Sequence, residues 1–411
     1  MIKIASQTPS QLKRRLSLPL LVLYGLGVTI GAGIYVLVGA TASKAGIYAP
    51  VSFLLAAIVV AFTGFSYAEL GTRYPVSAGE AAYINKGFNT NSLTLITGLL
   101  VIASGVISSA AVAIGAAAYL NTFIPISSEL LTVIVILVVG TVAIWGILES
   151  VTLAAIFTLI EIGGLGLAIW IGVTSTPDIL DKIPSLIPPS ELPIWGGILS
   201  AGLLAFFAFV GFEDIANVAE EVKNPRKTLP LGIILTLIIA TTIYFIVVSV
   251  VVLAVPIENL SQSDAPLSLV FVNTGQGTRH LFNIIAIIAT TNGALIQVIM
   301  ASRVLYGLAA QNNLPKIFSH VNPITSTPTT ATLFITIIII ILALYLPIAN
   351  LAETTSQIVL IVFVFVNMAL LKIKLQKIPS SAATYFEVPT FIPIFGFISS
   401  CLLFFVSFIP A

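Results

Sequence analysis

The sequence predicts an all-α polytopic membrane protein with about eleven transmembrane helices, built as a five-plus-five inverted repeat whose first and sixth spans are discontinuous. Three observations predict it. Of 411 residues, 58% are hydrophobic and only 8% are charged, against about 25% charged in a soluble domain. Long apolar runs recur between proline and charge clusters. Two of those runs, five apart and opposite in membrane direction, are interrupted by glycine at their centres, the trace expected of an inverted repeat with a binding site between two broken helices.

Taken in order, residues 1–18 form a polar cytoplasmic segment. The apolar runs then cover about 19–42, 49–70, 93–120, 130–149, 152–174, 196–219, 230–255, 281–310, 329–346, 350–372 and 392–409. Residues 19–174 make the first repeat, spans one to five. Residues 175–195 are an extracellular loop marked by Pro177, Pro184, Pro188, Pro189 and Pro193. Residues 196–372 make the second repeat, and 373–411 an inner loop with an accessory eleventh span. The third and eighth runs exceed what a bilayer needs and are expected to tilt. Pro230 is expected to start the seventh span.

Lysine and arginine set the orientation. With the N-terminus inside, the inner side receives 14 of the 17 basic residues, and only Lys44, Lys182 and Arg279 fall outside. This places the C-terminus outside, in a plasma (inner) membrane protein. The N-terminus stays polar until about Pro19 and the first apolar run is of spanning length, so no cleavable signal peptide is expected.

The composition also excludes. Cys401 is the single cysteine, so there is no internal disulfide and no multi-cysteine metal site. His280 and His320 lie far apart and outside the spans. No nucleophile–base set, cofactor motif or basic patch for nucleic acid is present, and an enzyme is not expected.

The first break is Thr29-Ile30-Gly31-Ala32-Gly33-Ile34-Tyr35. Its glycines either loosen the backbone for a ligand or, with Gly25 and Gly27, simply allow close helix packing. The second break, Phe209-Val210-Gly211-Phe212 followed by Glu213 and Asp214, moves the balance to a ligand. A broken helix offers unpaired N–H groups that attract a carboxylate and unpaired C=O groups that attract an ammonium. An α-amino acid fits: its carboxylate on the N–H groups around Ala32 to Ile34, its ammonium on carbonyls near Ile30 and Phe209 to Gly211, with Gly31, Gly33, Val210 and Phe212 completing the substrate-binding set. Phe206, Phe207, Phe209 and Phe212 supply a lid or wall, with at least two of them ordinary packing, since four residues in seven do not share one helical face.

Glu161, near the middle of span five, is the candidate ion-coupling residue. An ionised carboxylate there is costly, so it is protonated, paired or facing water. That suits a proton carrier; the alternative is a structural glutamate. Thr158, one turn earlier, is a candidate partner. Glu213 and Asp214 stand about 100° apart on a helix, so at most one faces the site, and both are candidate vestibule acids. Asn292, Gln297 and Asn367 are expected to bridge helices.

These motifs resemble a known family. Thr29 to Tyr35, then Tyr67-Ala68-Glu69-Leu70 with Pro75 and Gly79, resemble the amino acid–polyamine–organocation (APC) superfamily. So do Gly211-Phe212-Glu213 running into Glu220-Glu221-Val222-Lys223-Asn224-Pro225-Arg226-Lys227-Thr228-Leu229-Pro230, and Ser302 to Gly307. The likeness covers roughly residues 15–375 and is nearest to the cationic amino acid transporter branch and its bacterial relatives. It implies the leucine-transporter fold, alternating access and an amino acid held at the two breaks. The chain departs from the pattern in ending after about eleven spans and in having Glu161 where proton-coupled relatives often carry a lysine. Glutamate suits a proton or a sodium ion. The third span, Ser92 to Tyr119, has no acidic residue, which favours neutral amino acids over cationic ones or polyamines. The expectation is a secondary transporter of neutral amino acids, by proton coupling or exchange, with no cofactor and an oligomeric state the sequence leaves open.

Overall fold

The computed structural model describes residues 16–31, 33–75, 79–145, 151–311, 313–325, 327–380, 382 and 384–408. It is built of helices. α1 (Leu18–Ile30) and α2 (Gly33–Ala45) make the first apolar run, and α3 (Ala49–Arg73) the second. A short α4 (Gly79–Phe88) precedes α5 (Asn91–Asn121), α6 (Ser128–Trp145) and α7 (Val151–Ser175). After the single turn α8 (Ile179–Lys182), α9 (Leu192–Phe207) and α10 (Asp214–Asn217) make the sixth run. The chain continues through α11 (Pro225–Ala254), the short α12 (Ile257–Ser261), α13 (Gln276–Ala310), α14 (Thr329–Tyr345), α15 (Ile348–Leu375) and α16 (Phe391–Val406). Among the described residues, seven helical stretches are long and apolar enough to cross a membrane, with four shorter apolar helices beside them. Each apolar run read from the sequence falls on one of these helices or helix pairs.

Several boundaries move for local reasons. α9 begins at Leu192 rather than at 196, because Pro193 sits in the first turn, where its missing N–H costs nothing. Likewise α11 begins at Pro225, behind Asn224 in the left-handed region at φ 50°. Pro230 lies inside that helix, so it does not start the seventh span as expected. α3 stops at Arg73 because the residue before Pro75 is driven out of helical geometry: Tyr74 has φ −133° and ψ 76°. Residues 1–15 and 146–150, the latter including the end of the fourth run, lie outside the described residues.

α4 is an element the sequence reading passed over. Glu80, Tyr83, Ile84 and Gly87 are its buried positions, spaced as one face of a helix. That face packs on α5, α10 and α15.

The helices pack in matched pairs. α1 lies against α7 as α9 lies against α15, and α1 against α11 as α9 against α3. α5 meets α6 and α14 as α13 meets α14 and α6. α3 with α11, α5 with α13, α6 with α14 and α2 with α9 pair directly. Each of these partnerships made by the first five runs thus has a counterpart five runs later.

One buried ionic cluster fastens α3, α15 and the segment leading into α16. Glu69 is fully buried. Its Oε1 accepts from Arg73 Nε at 2.8 Å and lies 2.7 Å from Arg73 Nη2. Its Oε2 accepts from the Val388 backbone N–H at 2.8 Å and lies 2.9 Å from Lys374 Nζ. The Arg73 guanidinium also stacks 4.1 Å from the Tyr385 ring centroid. With one carboxylate serving two cations and a backbone N–H, the ion pair is fully hydrogen-bonded, the condition under which burying it is tolerable.

Removing one member should therefore cost far more than the same change at an exposed partner. Glu69→Gln is expected to destabilise the protein by about 3–5 kcal/mol, because it leaves two buried cations without their carboxylate. Glu387→Gln, whose side chain is 63% exposed, is expected to cost about 1 kcal/mol or less. Thermal unfolding in detergent checks both; equal effects would mean the cluster is not the fastening.

Candidate functional site

The two breaks predicted from glycine meet each other in space. α1 stops at Ile30, Gly31 bends, and α2 begins at Gly33; Ala32 lies outside the described residues. α9 stops at Phe207, and Ala208 to Glu213 form a string of turns. Their bonds run from residue i+3 back to i, as from the Val210 N–H to the Phe207 carbonyl at 3.1 Å. Gly211 carries φ +114°, a conformation L side chains rarely adopt.

Contact between the breaks is backbone on backbone. A Cβ on Gly33 would sit 2.3 Å from the Ala208 Cα, and one on Gly211 would sit 2.9 Å from the Val28 carbonyl oxygen. Gly33 of the first break is therefore pressed against the second, and Gly211 of the second against α1 just before the first. Across them lies Tyr244 of α11, fully buried, its hydroxyl 2.8 Å from the Thr29 carbonyl and 2.8 Å from the Ala208 carbonyl. Its ring rests edge-on against Phe209 at 5.1 Å.

The flanking residues are apolar. Ile30, Ile34, Phe209 and Phe212 are all buried. Phe206 and Phe212 pack on Phe363 of α15, with ring centroids 5.6 and 5.5 Å apart. Phe212 also meets Tyr67 of α3 at 5.7 Å. These rings wedge the second break against the neighbouring helices.

A narrow cleft opens beside the second break. Val210, Glu213 and Asp214 line it with Tyr67, Glu80, Ser104, Gln297, Met300 and Phe363. Its volume is about 20 Å³, room for about one water. Glu213 and Asp214 both line it, contrary to the helical-wheel expectation, because Glu213 stands in the turn before α10 and not on a continuous helix. Glu213 Oε2 accepts from the Gly211 N–H at 2.9 Å, so it folds back over the break. Asp214 Oδ1 accepts from Asn217 Nδ2 at 3.2 Å. Glu80 of α4, outside the spanning helices, accepts from the Tyr67 hydroxyl at 3.1 Å. Burial pushes its carboxyl above the usual range, while its backbone and Tyr67 hydrogen bonds pull it back.

Glu161 lies at the first break's other flank, fully buried on α7. Its Oε1 accepts from Asn292 Nδ2 of α13 at 3.0 Å, and its Oε2 has no hydrogen-bond partner among the described residues. Asn292 thus joins α7 to α13, and it does so through the candidate coupling residue. Thr158 donates to the Leu23 carbonyl of α1 at 3.1 Å. The Tyr35 hydroxyl donates to the Glu161 carbonyl at 2.6 Å, and the Tyr119 hydroxyl to the Tyr35 carbonyl at 2.6 Å. Asn367 bridges α15 to α3, donating to Thr63 at 2.9 Å and accepting from Ser66 at 2.7 Å.

Sequence reasoning missed Tyr244, Tyr67 and Glu80 as neighbours of the breaks. Tyr244 carries a usable signal, since a tyrosine mid-membrane needs a partner for its hydroxyl. Glu80 gives none, because only the docking of α4 brings it under the second break.

A family model described as "Amino acid permease" matches residues 16–411. The chain is 32% identical to "Cationic amino acid transporter 4, vacuolar" of Arabidopsis thaliana, over 90% of this chain and 65% of that protein. It is 28% identical to the branched-chain amino acid permease BcaP of Bacillus subtilis, over 91% of this chain and 83% of the relative. It is 29% identical to the methylthioribose transporter of Bacillus subtilis, over 98% and 90% of the two chains. The chain spans just under two thirds of the plant protein's length.

The contact between the breaks makes a direct prediction. Gly33→Ala forces a methyl into the Ala208 backbone and is expected to destabilise by about 1–3 kcal/mol. Gly163→Ala, where an added Cβ meets nothing within 4 Å, is expected to be neutral or slightly stabilising. Thermal unfolding of the two variants side by side is the check.

Proposed function

We propose that this chain, which belongs to the amino acid permease family of the APC superfamily, is a secondary transporter that moves amino acids by alternating access between two broken helices. The observation that carries this reading is the meeting of the breaks at Gly33 with Ala208 and Gly211 with Val28. It gathers two sets of helix ends at one point. The first N–H groups of α2, at Gly33 and Ile34, suit a carboxylate. Carbonyls ending α1 and α9 suit an ammonium. The apolar flank of Ile30, Ile34, Phe209 and Phe212 suits a neutral side chain.

The matched helix partnerships support an inverted repeat of spans one to five against six to ten. On this reading residues 1–18 are cytoplasmic, 175–195 lie outside, and the protein sits in the plasma membrane with its C-terminus outside. The distribution of basic residues supports that orientation.

Coupling runs through Glu161. Its carboxylate is buried, holds one bond to Asn292 and leaves Oε2 without a partner among the described residues. A proton or a small cation would satisfy that oxygen. Proton coupling is the first reading, since a cation would need further oxygen ligands around it, and sodium the second.

A cationic substrate is the alternative that one observation favours. Glu80, Glu213 and Asp214 line a single cleft beside the second break, supplying the negative charge the third span lacks.

Uptake of labelled amino acids into proteoliposomes, with proton and sodium gradients imposed separately, tests all of this. An inward proton gradient is expected to drive accumulation of neutral amino acids, with Glu161→Gln retaining exchange but not accumulation. Sodium-driven uptake, or wild-type accumulation by Glu161→Gln, would overturn the coupling assignment. Lysine or arginine uptake that falls about tenfold or more in Asp214→Asn, the loss expected of a charged partner worth about 1.5–3 kcal/mol, would select the cationic reading.

A further inference from the structure

The Thr29 carbonyl belongs to the last turn of α1, and the Ala208 carbonyl to the residue that follows α9. In an unbroken helix each would accept from the N–H four residues on. Here the N–H four residues after Ala208, that of Phe212, goes to the Phe209 carbonyl at 3.4 Å, and the Gly211 N–H goes to Glu213. Gly33, four residues after Thr29, opens the next helix instead. Among the described residues, the donor within reach of both carbonyls is the Tyr244 hydroxyl, 2.8 Å from each. A phenolic hydroxyl has one proton to donate. Among the described residues two buried acceptors therefore share one donor, and the pair is short there by one hydrogen bond. An ammonium group carries three donors and would supply what is missing.

We propose that the Tyr244 hydroxyl stands in for the substrate ammonium at the two helix ends, so that the carrier can close and return without cargo. The inference rests on reading the two breaks as the amino acid site, and adds to it a role for a residue that no cargo contact defines. With an ammonium present, the two carbonyls have donors enough and Tyr244 is dispensable to closure. With none, the hydroxyl is what keeps two apolar-embedded carbonyls from being left bare, which is costly for buried acceptors. Tyr244 is thus a positioning residue for the empty carrier: it sets how far net transport, which needs the empty return, keeps pace with exchange, which does not.

The test compares two fluxes in proteoliposomes of the same protein. One is net uptake of a labelled neutral amino acid into liposomes empty of it; the other is exchange into liposomes preloaded with it. Tyr244→Phe keeps the ring against Phe209 and Phe53 and removes the donor. Its net uptake is expected to fall by about tenfold, the equivalent of one hydrogen bond, with exchange held within about twofold. A proportional fall in both fluxes, or no fall in net uptake, overturns the proposal. Phe53→Leu, which loosens the ring but leaves the hydroxyl, is expected to move both fluxes together; a selective loss of net uptake there would assign the effect to packing and overturn it as well. Should Tyr244→Phe fail to fold, 3-fluorotyrosine at 244 keeps the hydroxyl and makes it a better donor. It is expected to raise the ratio of net uptake to exchange, and an unchanged ratio overturns the proposal. Wild-type protein that exchanges no amino acid removes the reading of the site itself, which separates that failure from a failure of the role of Tyr244.

Discussion

Backbone groups released inside an apolar layer must find partners there, and the centre of this protein is organised by that demand. Each unsatisfied N–H or C=O in hydrocarbon costs several kcal/mol. The breaks at Gly31 and Ala208 to Glu213 release such groups at two places. The fold answers by pressing the breaks together at glycine contacts and by aiming three buried tyrosine hydroxyls at carbonyls on or beside them. Tyr35 reaches the Glu161 carbonyl, Tyr119 the Tyr35 carbonyl, and Tyr244 the Thr29 and Ala208 carbonyls. Glu213 serves the Gly211 N–H in the same way. The result is a junction that is nearly, but not wholly, self-satisfied, which is the condition a ligand site requires.

Around that junction the ionisable groups are segregated by role. Glu69 is neutralised by Arg73 and Lys374, and fastens α3 to α15 and to the segment before α16. Glu161 is held by a neutral amide, that of Asn292, with one oxygen left over. Glu80, Glu213 and Asp214 share a cleft. A fully paired acid gives rigidity; acids without a cation partner among the described residues leave capacity for a proton, a cation or cationic cargo. The start of the described chain adds a second fastening. Leu16 pairs with the segment around Val222, accepting from the Lys223 N–H at 2.9 Å and donating to the Glu221 carbonyl at 3.0 Å. The foot of the first span is thereby tied to the exit of the sixth, so the two broken elements are joined away from their junction as well as at it.

The fold and the positions of the breaks were legible in the sequence, because both follow from local composition. Apolar runs of spanning length leave little choice but helices, and glycine pairs at the centre of such a run weaken the helix at that point. At the starts of α9 and α11 the boundary moved at a proline: Pro193 and Pro225 open helices, and Pro230 rides inside one. α4 was legible too, in the spacing of Glu80, Tyr83, Ile84 and Gly87, though its short length and polar surroundings masked it.

What the sequence by itself determined is the class of protein, the run of helices and the two points where helical hydrogen bonding fails. Those properties depend on neighbours a few residues away. Only the tertiary structure decided which groups answer the failure. Tyr244 is more than two hundred residues from Thr29 along the chain, and Glu80 comes under the second break through the docking of α4 on α5, α10 and α15. Glu213 and Asp214 came to line one cleft because the turn around Gly211 replaced the helix on which they would have diverged. A hydrogen bond is satisfied by whatever donor lies within about 3 Å, and sequence distance carries no information about that separation.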